Sequence, residues 1–104
     1  MSSSEQHILS AFDRDLESLQ AHLMRLCGLA ETALVDAAKA LEKHDLPTAD
    51  RIIAGDRAID ALEDFIQTEA ASLIARRAPT ARDLRLVLAV MRAAHSLERV
   101  GDYA

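Results

Sequence analysis

Apolar residues recur along most of the chain at the spacing of amphipathic helices. In residues 4–44 they follow alternating steps of three and four, an uninterrupted heptad pattern. These positions are Leu9, Phe12, Leu16, Leu19, Leu23, Leu26, Ala30, Ala33, Ala37 and Ala40. The pattern predicts one long helix whose apolar stripe changes from bulky Leu and Phe to small Ala along its length.

Two prolines mark the breaks that follow this segment. Pro47 is acceptable in the first turn of a helix, with Asp45 as its N-cap. After Pro79, Thr80 and Asp83 have the spacing of a capping box. The predicted helices therefore span about 4–44, 46–77 and 80–104. The apolar faces of the second and third helices are formed by Ile52, Ile59, Leu62, Ile66, Ala70 and Leu73, and by Leu84, Val87, Leu88, Met91, Ala94 and Leu97.

The connections between these helices are short, so consecutive helices are expected to be antiparallel neighbours. The predicted fold is all-α: an antiparallel up-down-up three-helix bundle with coiled-coil-like packing, in which residues 1–104 form a single domain. Composition agrees, because 50% of the residues are apolar and only 3% are aromatic, with 3 Gly and 2 Pro.

Charge and cysteine content exclude several kinds of protein. The net charge of −5 gives no support to sequence-independent nucleic-acid binding, which needs a basic surface. Cys27 is the single cysteine, so no intrachain disulfide can form. The first residues do not resemble a signal peptide, and no run of about 18 apolar residues could span a membrane. We expect a cytoplasmic protein.

The predicted helices differ in length. The third is much shorter than the first, so the Leu-rich start of the first helix is expected to lack a full-length partner. Either the chain is a fragment of a longer protein, or another chain covers this stripe. Uncovered apolar stripes promote association. We therefore expect a dimer or higher homo-oligomer, with exchange of helices between chains as one way to form it.

Two pairs of carboxylates, each with helical i, i+4 spacing, are the main chemical signal. Asp56 and Asp60 lie on the second helix, and Glu98 and Asp102 lie on the third. The midpoints of the two pairs, positions 58 and 100, are equally far from Pro79. In an antiparallel hairpin, equal distance from the turn means equal height, so the two pairs are expected to lie side by side.

Converging carboxylates repel one another and need protonation, arginine partners or a metal ion. Their oxygens suit hard cations such as Mg²⁺, Ca²⁺ and Mn²⁺, and also iron. The alternative is an ordinary charged helix face neutralised by nearby arginines. His95 lies one turn before Glu98 and is either a further ligand or a packed residue. A ferritin-like di-iron site is disfavoured, because the chain contains no Glu-x-x-His.

Four stretches resemble the PhoU family of accessory regulators of bacterial phosphate uptake. They are HILSAFDRDLESL, GLAETAL, DRAIDALEDFI and APTARDLRLVLAVMRAAHSLERVGDYA. A complete member of that family has two similar three-helix repeats, and this chain resembles the first. The resemblance implies metal binding through Glu/Asp-x-x-x-Asp motifs, which correspond here to Glu98 with Asp102 and to Asp56 with Asp60.

The same resemblance implies a regulatory, non-enzymatic function. Family members are thought to restrain a phosphate-responsive sensor histidine kinase and to act on the ATPase subunit of the phosphate transporter. Divalent metal ions or iron would be the bound cofactors, of unspecified identity. Two alternatives stay open: a metal-dependent helical enzyme or metal-storage module that uses the same carboxylates, and a purely structural helical assembly module.

Overall fold

The computed structural model describes the backbone of residues 3–43 and 46–103, and the side chains of residues 11–42 and 50–101. In this part of the chain there are three helices and no strand: α1 (Ser3–Lys43), α2 (Leu46–Arg77) and α3 (Ala81–Tyr103). Their ends lie within one residue of the predicted bounds. Asp45, the expected N-cap of α2, lies outside the described residues.

The turn between α2 and α3 is closed by backbone and side-chain hydrogen bonds. Ala78 adopts a left-handed conformation with φ of 42°, and its N–H donates to the Ile74 carbonyl oxygen at 3.1 Å. This is the αL ending of a helix, formed here without the usual glycine. The Thr80 Oγ1 then accepts a hydrogen bond from the N–H of Asp83 at 3.4 Å. The predicted cap at the start of α3 is therefore present on its Thr80 side.

All three pairs of helices pack against one another in a rod of 62 × 18 × 16 Å. The 41 residues of α1 account for the long dimension, since a helix rises about 1.5 Å per residue. The predicted antiparallel three-helix bundle is thus confirmed. Its buried core contains Phe12, Leu16, Leu19, Leu26, Ala30, Ala33, Ile59, Ile66, Ala70, Leu73, Val87, Val90 and Ala94.

Some core positions differ from the predicted apolar faces. Val90 is buried, although it was not among the residues predicted for the apolar face of the third helix. The signal was present, because Val90 lies three residues after Val87 and four before Ala94. Leu23 and Ala37, by contrast, are only partly buried. No helix in the described part of the chain is both long and apolar enough to cross a membrane.

The expectation that the Leu-rich start of α1 lacks a partner is wrong for the side chains that the structure describes. Phe12 is 3% exposed and Leu26 is fully buried, while Leu9 lies outside the described side chains. The antiparallel topology explains this, because the α2–α3 turn lies beside the start of α1. In the second half of α1, Leu34 is 48% and Leu41 is 79% exposed, and both lie outside the heptad stripe, next to Ala33 and Ala40.

Ion pairs join the start of α1 to the end of α2. The Asp15 Oδ2 lies 3.1 Å from the Nε of Arg77 and 3.7 Å from the Nη1 of Arg76. The Arg77 contact is also a hydrogen bond, with Nε donating to the carboxylate. These pairs are partly exposed, so each contributes little to stability, but together they anchor the end of α2 against α1.

Candidate functional site: a carboxylate groove between α2 and α3

The height relation predicted from the hairpin is present at two contacts between α2 and α3. The Gln67 Nε2 donates to the Met91 carbonyl oxygen at 2.7 Å. One turn further from the hairpin, the Oε1 of Glu63 lies 3.9 Å from the Nδ1 of His95. In both pairs the two residues are equally far from Pro79 along the chain. The same register places position 60 opposite position 98, and position 56 opposite position 102.

A shallow groove runs along the helices at this height. It is lined by Asp60, Ala61, Glu63, Asp64, His95 and Glu98. We call it the carboxylate groove, because four of its six lining residues are acidic. Asp60 and Glu98, which the sequence analysis placed side by side, line it together. Glu63 and Asp64 also line the groove, and they were not among the predicted ligands.

The carboxylate of Glu63 is constrained by burial and by a hydrogen bond. Its side chain is only 18% exposed, and its Oε1 accepts a hydrogen bond from the Gln67 Nε2 at 3.1 Å. Gln67 also bonds to α3, so it holds Glu63 in a defined position relative to that helix. His95 is 64% exposed and lies at the rim beside Glu63. The interpretation of His95 as an ordinary packed residue is therefore wrong, and its prediction as a ligand stays a prediction.

The other predicted ligands differ in their burial. Glu98 is half-buried and Asp60 is exposed. Asp56 is half-buried as well, and its Oδ1 is shielded from solvent. The backbone of Asp102 lies in the last turn of α3, but its side chain lies outside the described residues. The structure thus brings Asp60 and Glu98 into one groove and leaves the contribution of Asp102 undescribed.

The donor types in the groove fit a hard cation, since carboxylate oxygens are the ligands that such ions prefer. Within the described residues, however, no three His, Cys, Asp or Glu side chains are placed to hold a metal ion together. The predicted set of Asp56, Asp60, Glu98 and Asp102 contains one side chain outside that range. The four-carboxylate cation site therefore stays a prediction.

Comparison with known proteins identifies relatives over nearly the whole chain. The PhoU domain family matches residues 23–104. The phosphate-specific transport system accessory protein PhoU of Serratia marcescens is 38% identical over 99 residues, covering 95% of this chain and 41% of that protein. A homolog from Xylella fastidiosa is 43% identical over 103 residues, covering 99% of this chain and 42% of the relative.

Other relatives agree with these two. A PhoU homolog from a Burkholderia species is 40% identical over 100 residues, covering 96% of this chain and 43% of the relative. The chain thus spans less than half the length of these curated relatives. No solved structure matches the chain significantly.

Proposed function

This chain belongs to the PhoU family, and from that premise we propose that it is an accessory, regulatory component of a bacterial phosphate transport system. The observation that supports the proposal is the match over almost the entire chain to relatives named phosphate-specific transport system accessory proteins. The function is non-enzymatic: the protein acts through contacts with other proteins.

The chain acts as a negative regulator of phosphate uptake and of phosphate-responsive signalling in the cytoplasm. Its direct partners are the ATPase subunit of the transporter and the sensor histidine kinase. A rod of three helices, 62 × 18 × 16 Å in extent, suits such an adaptor, because it presents long helical surfaces to a partner.

A pull-down with purified partners tests this function. The 104-residue chain is immobilised and exposed to the transporter ATPase subunit or to the cytoplasmic part of the sensor kinase, at high and at low phosphate. We expect retention of at least one partner, with an unrelated transporter ATPase as the control. Failure to retain either partner under both conditions would contradict the proposal.

The proposed function includes a cation site formed by Asp56, Asp60, Glu98 and Asp102. Support comes from the groove that Asp60 and Glu98 share, and from the solvent-shielded oxygen of Asp56. When bound, the cation supplies positive charge that offsets the repulsion between carboxylates of neighbouring helices. The residues themselves bind the ion and hold α2 and α3 at a fixed height relative to each other.

Calorimetric titration with Mn²⁺ tests the cation site. We expect binding by the wild type and clear weakening in Glu98→Gln and Asp60→Asn, each of which removes one charged ligand. Asp13→Asn is the matched control, since Asp13 is an exposed carboxylate on α1. If the wild type binds no Mn²⁺ and the two groove variants are more stable than it, the purely structural alternative is favoured instead.

The chain associates with itself as a dimer or a higher oligomer, with helix exchange as one route. Support comes from Leu34 and Leu41, which lie seven residues apart beside the core-facing stripe of α1 and are 48% and 79% exposed. Light scattering at tens of micromolar should show more than one chain per particle, and Leu41→Gln should reduce that number. A compact monomer would contradict this part of the proposal.

A further inference from the structure

Gly101 on α3 packs closely against Ile59 on α2. A Cβ atom added to Gly101 would lie 2.8 Å from the Cδ1 of Ile59, 3.6 Å from its Cγ2 and 3.9 Å from its Cγ1. Both residues are buried, and Ile59 is 0% exposed. Gly28 and Gly55, by contrast, have no described atom within 4 Å of the same position. We call the approach of Gly101 to Ile59 the glycine contact.

The predicted ligands are arranged symmetrically around the glycine contact. On each helix one carboxylate lies three positions before the contact residue and another lies one position after it. These are Asp56 and Asp60 on α2, and Glu98 and Asp102 on α3. At 3.6 residues per turn, these offsets correspond to rotations of about 60° and 100° from the contact, in the same sense on each helix.

Equal offsets have a simple consequence in an antiparallel pair. Two antiparallel helices are related by a twofold axis that is perpendicular to the plane containing both of them. Rotation about this axis exchanges the helices, but residues that lie above that plane stay above it. All four positions therefore lie on one side of the glycine contact. The groove that contains both Asp60 and Glu98 agrees with this arrangement.

We infer that Gly101 is a positioning residue, which sets the separation of α2 and α3 at which carboxylates from both helices reach one cation. This inference rests on the proposed cation site. A methyl group on Gly101 would lie 2.8 Å from Cδ1, the far end of a fully buried side chain, so either Cδ1 shifts within the packed core or α3 moves away from α2. Metal–ligand distances tolerate deviations of only about 0.2 Å, so even a small part of that adjustment taken up by α3 separates the two halves of the site.

Four proteins separate this role from general effects of the substitution: the wild type, Gly101→Ala, Ile59→Val and the double variant. Ile59→Val removes the one atom, Cδ1, that lies within 3 Å of the added methyl group. We expect Gly101→Ala to weaken Mn²⁺ binding roughly tenfold to a hundredfold, the range seen when groups supporting metal ligands are removed. In the double variant the affinity should return to within a few-fold of that of Ile59→Val.

Gly28→Ala and Gly55→Ala are the matched controls, because each adds the same methyl group within a helix but into open space. Both should leave Mn²⁺ affinity unchanged. Circular dichroism on each variant identifies any that fails to fold, and the double variant provides the decisive comparison if Gly101→Ala does so.

The outcomes distinguish this inference from the proposed site. If the wild type binds Mn²⁺ and Gly101→Ala binds it equally well, the inference is wrong and the cation site stands. If binding is lost in Gly101→Ala but is not regained in the double variant, the contact with Ile59 is not the cause and the inference is also wrong. If the wild type binds no Mn²⁺, both proposals fail.

Discussion

The left-handed residue that ends α2 provides a sharp test of the hairpin. Ala78 has φ of 42°, where an alanine side chain crowds its own backbone. Ala78→Gly removes that crowding and leaves the N–H donor to the Ile74 carbonyl in place. Because this turn sets the register of α2 against α3, the substitution tests the geometry on which the carboxylate groove depends.

The expected gain follows from two opposing terms. The left-handed conformation costs a non-glycine residue about 1–2 kcal/mol. Glycine gains freedom in the unfolded chain, which offsets about 0.4–1 kcal/mol of that relief. We therefore expect Ala78→Gly to raise the free energy of unfolding by about 0.5–1 kcal/mol. For a domain of this size, that corresponds to an increase of about 2–8 °C in Tm.

Thermal denaturation followed by circular dichroism measures this change. Ala71→Gly is the matched control, since Ala71 is exposed and lies within α2. It should lower the free energy of unfolding by about 0.8–1 kcal/mol, because glycine is a poor helix former. If Ala78→Gly destabilises the protein as much as Ala71→Gly does, Ala78 is not left-handed in solution and the account of the turn is wrong.

Three further substitutions, two of them with a matched control variant, test the packing of the bundle. Leu26→Ala should lower the free energy of unfolding, measured by urea denaturation, by about 2–5 kcal/mol, because Leu26 is fully buried. Its control, Met24→Ala, should change that free energy by less than about 0.5 kcal/mol, because Met24 is 68% exposed. Asp15→Asn should cost about 0.5–1 kcal/mol at low salt, and an equal loss at high salt would show that the two arginine pairs are not its cause. Gln67→Ala should cost about 1 kcal/mol through its bond to α3, while Thr68→Ala, on the exposed side of α2, should be neutral or slightly stabilising.

The helices and their register were predictable from the sequence because they depend on local signals. Heptad spacing indicates one continuous apolar stripe on α1, and Pro79 with Thr80 marks the hairpin. Equal distance from that hairpin was enough to place Asp60 level with Glu98. These inferences succeed because an antiparallel pair of straight helices has almost no freedom in register once its turn is fixed.

The residues that line the carboxylate groove were harder to predict from the sequence. Glu63 lies inside the same sequence stretch as Asp60, but its selection depends on Gln67, which holds its carboxylate and bonds to the backbone of α3. A hydrogen bond from a side chain to another helix leaves no periodic signal in the sequence. The buried Val90 did leave such a signal, through its spacing from Val87 and Ala94.

The sequence by itself therefore determined three helices, their antiparallel order and the height at which the carboxylates meet, since spacing and breaks are properties of the chain. Only the tertiary structure decided which part of the α1 stripe is covered, because that depends on which end of α1 lies beside the α2–α3 turn. It also revealed the glycine contact, because the space left for a Cβ atom on Gly101, 2.8 Å from the Cδ1 of Ile59, depends on how closely the two helices pack.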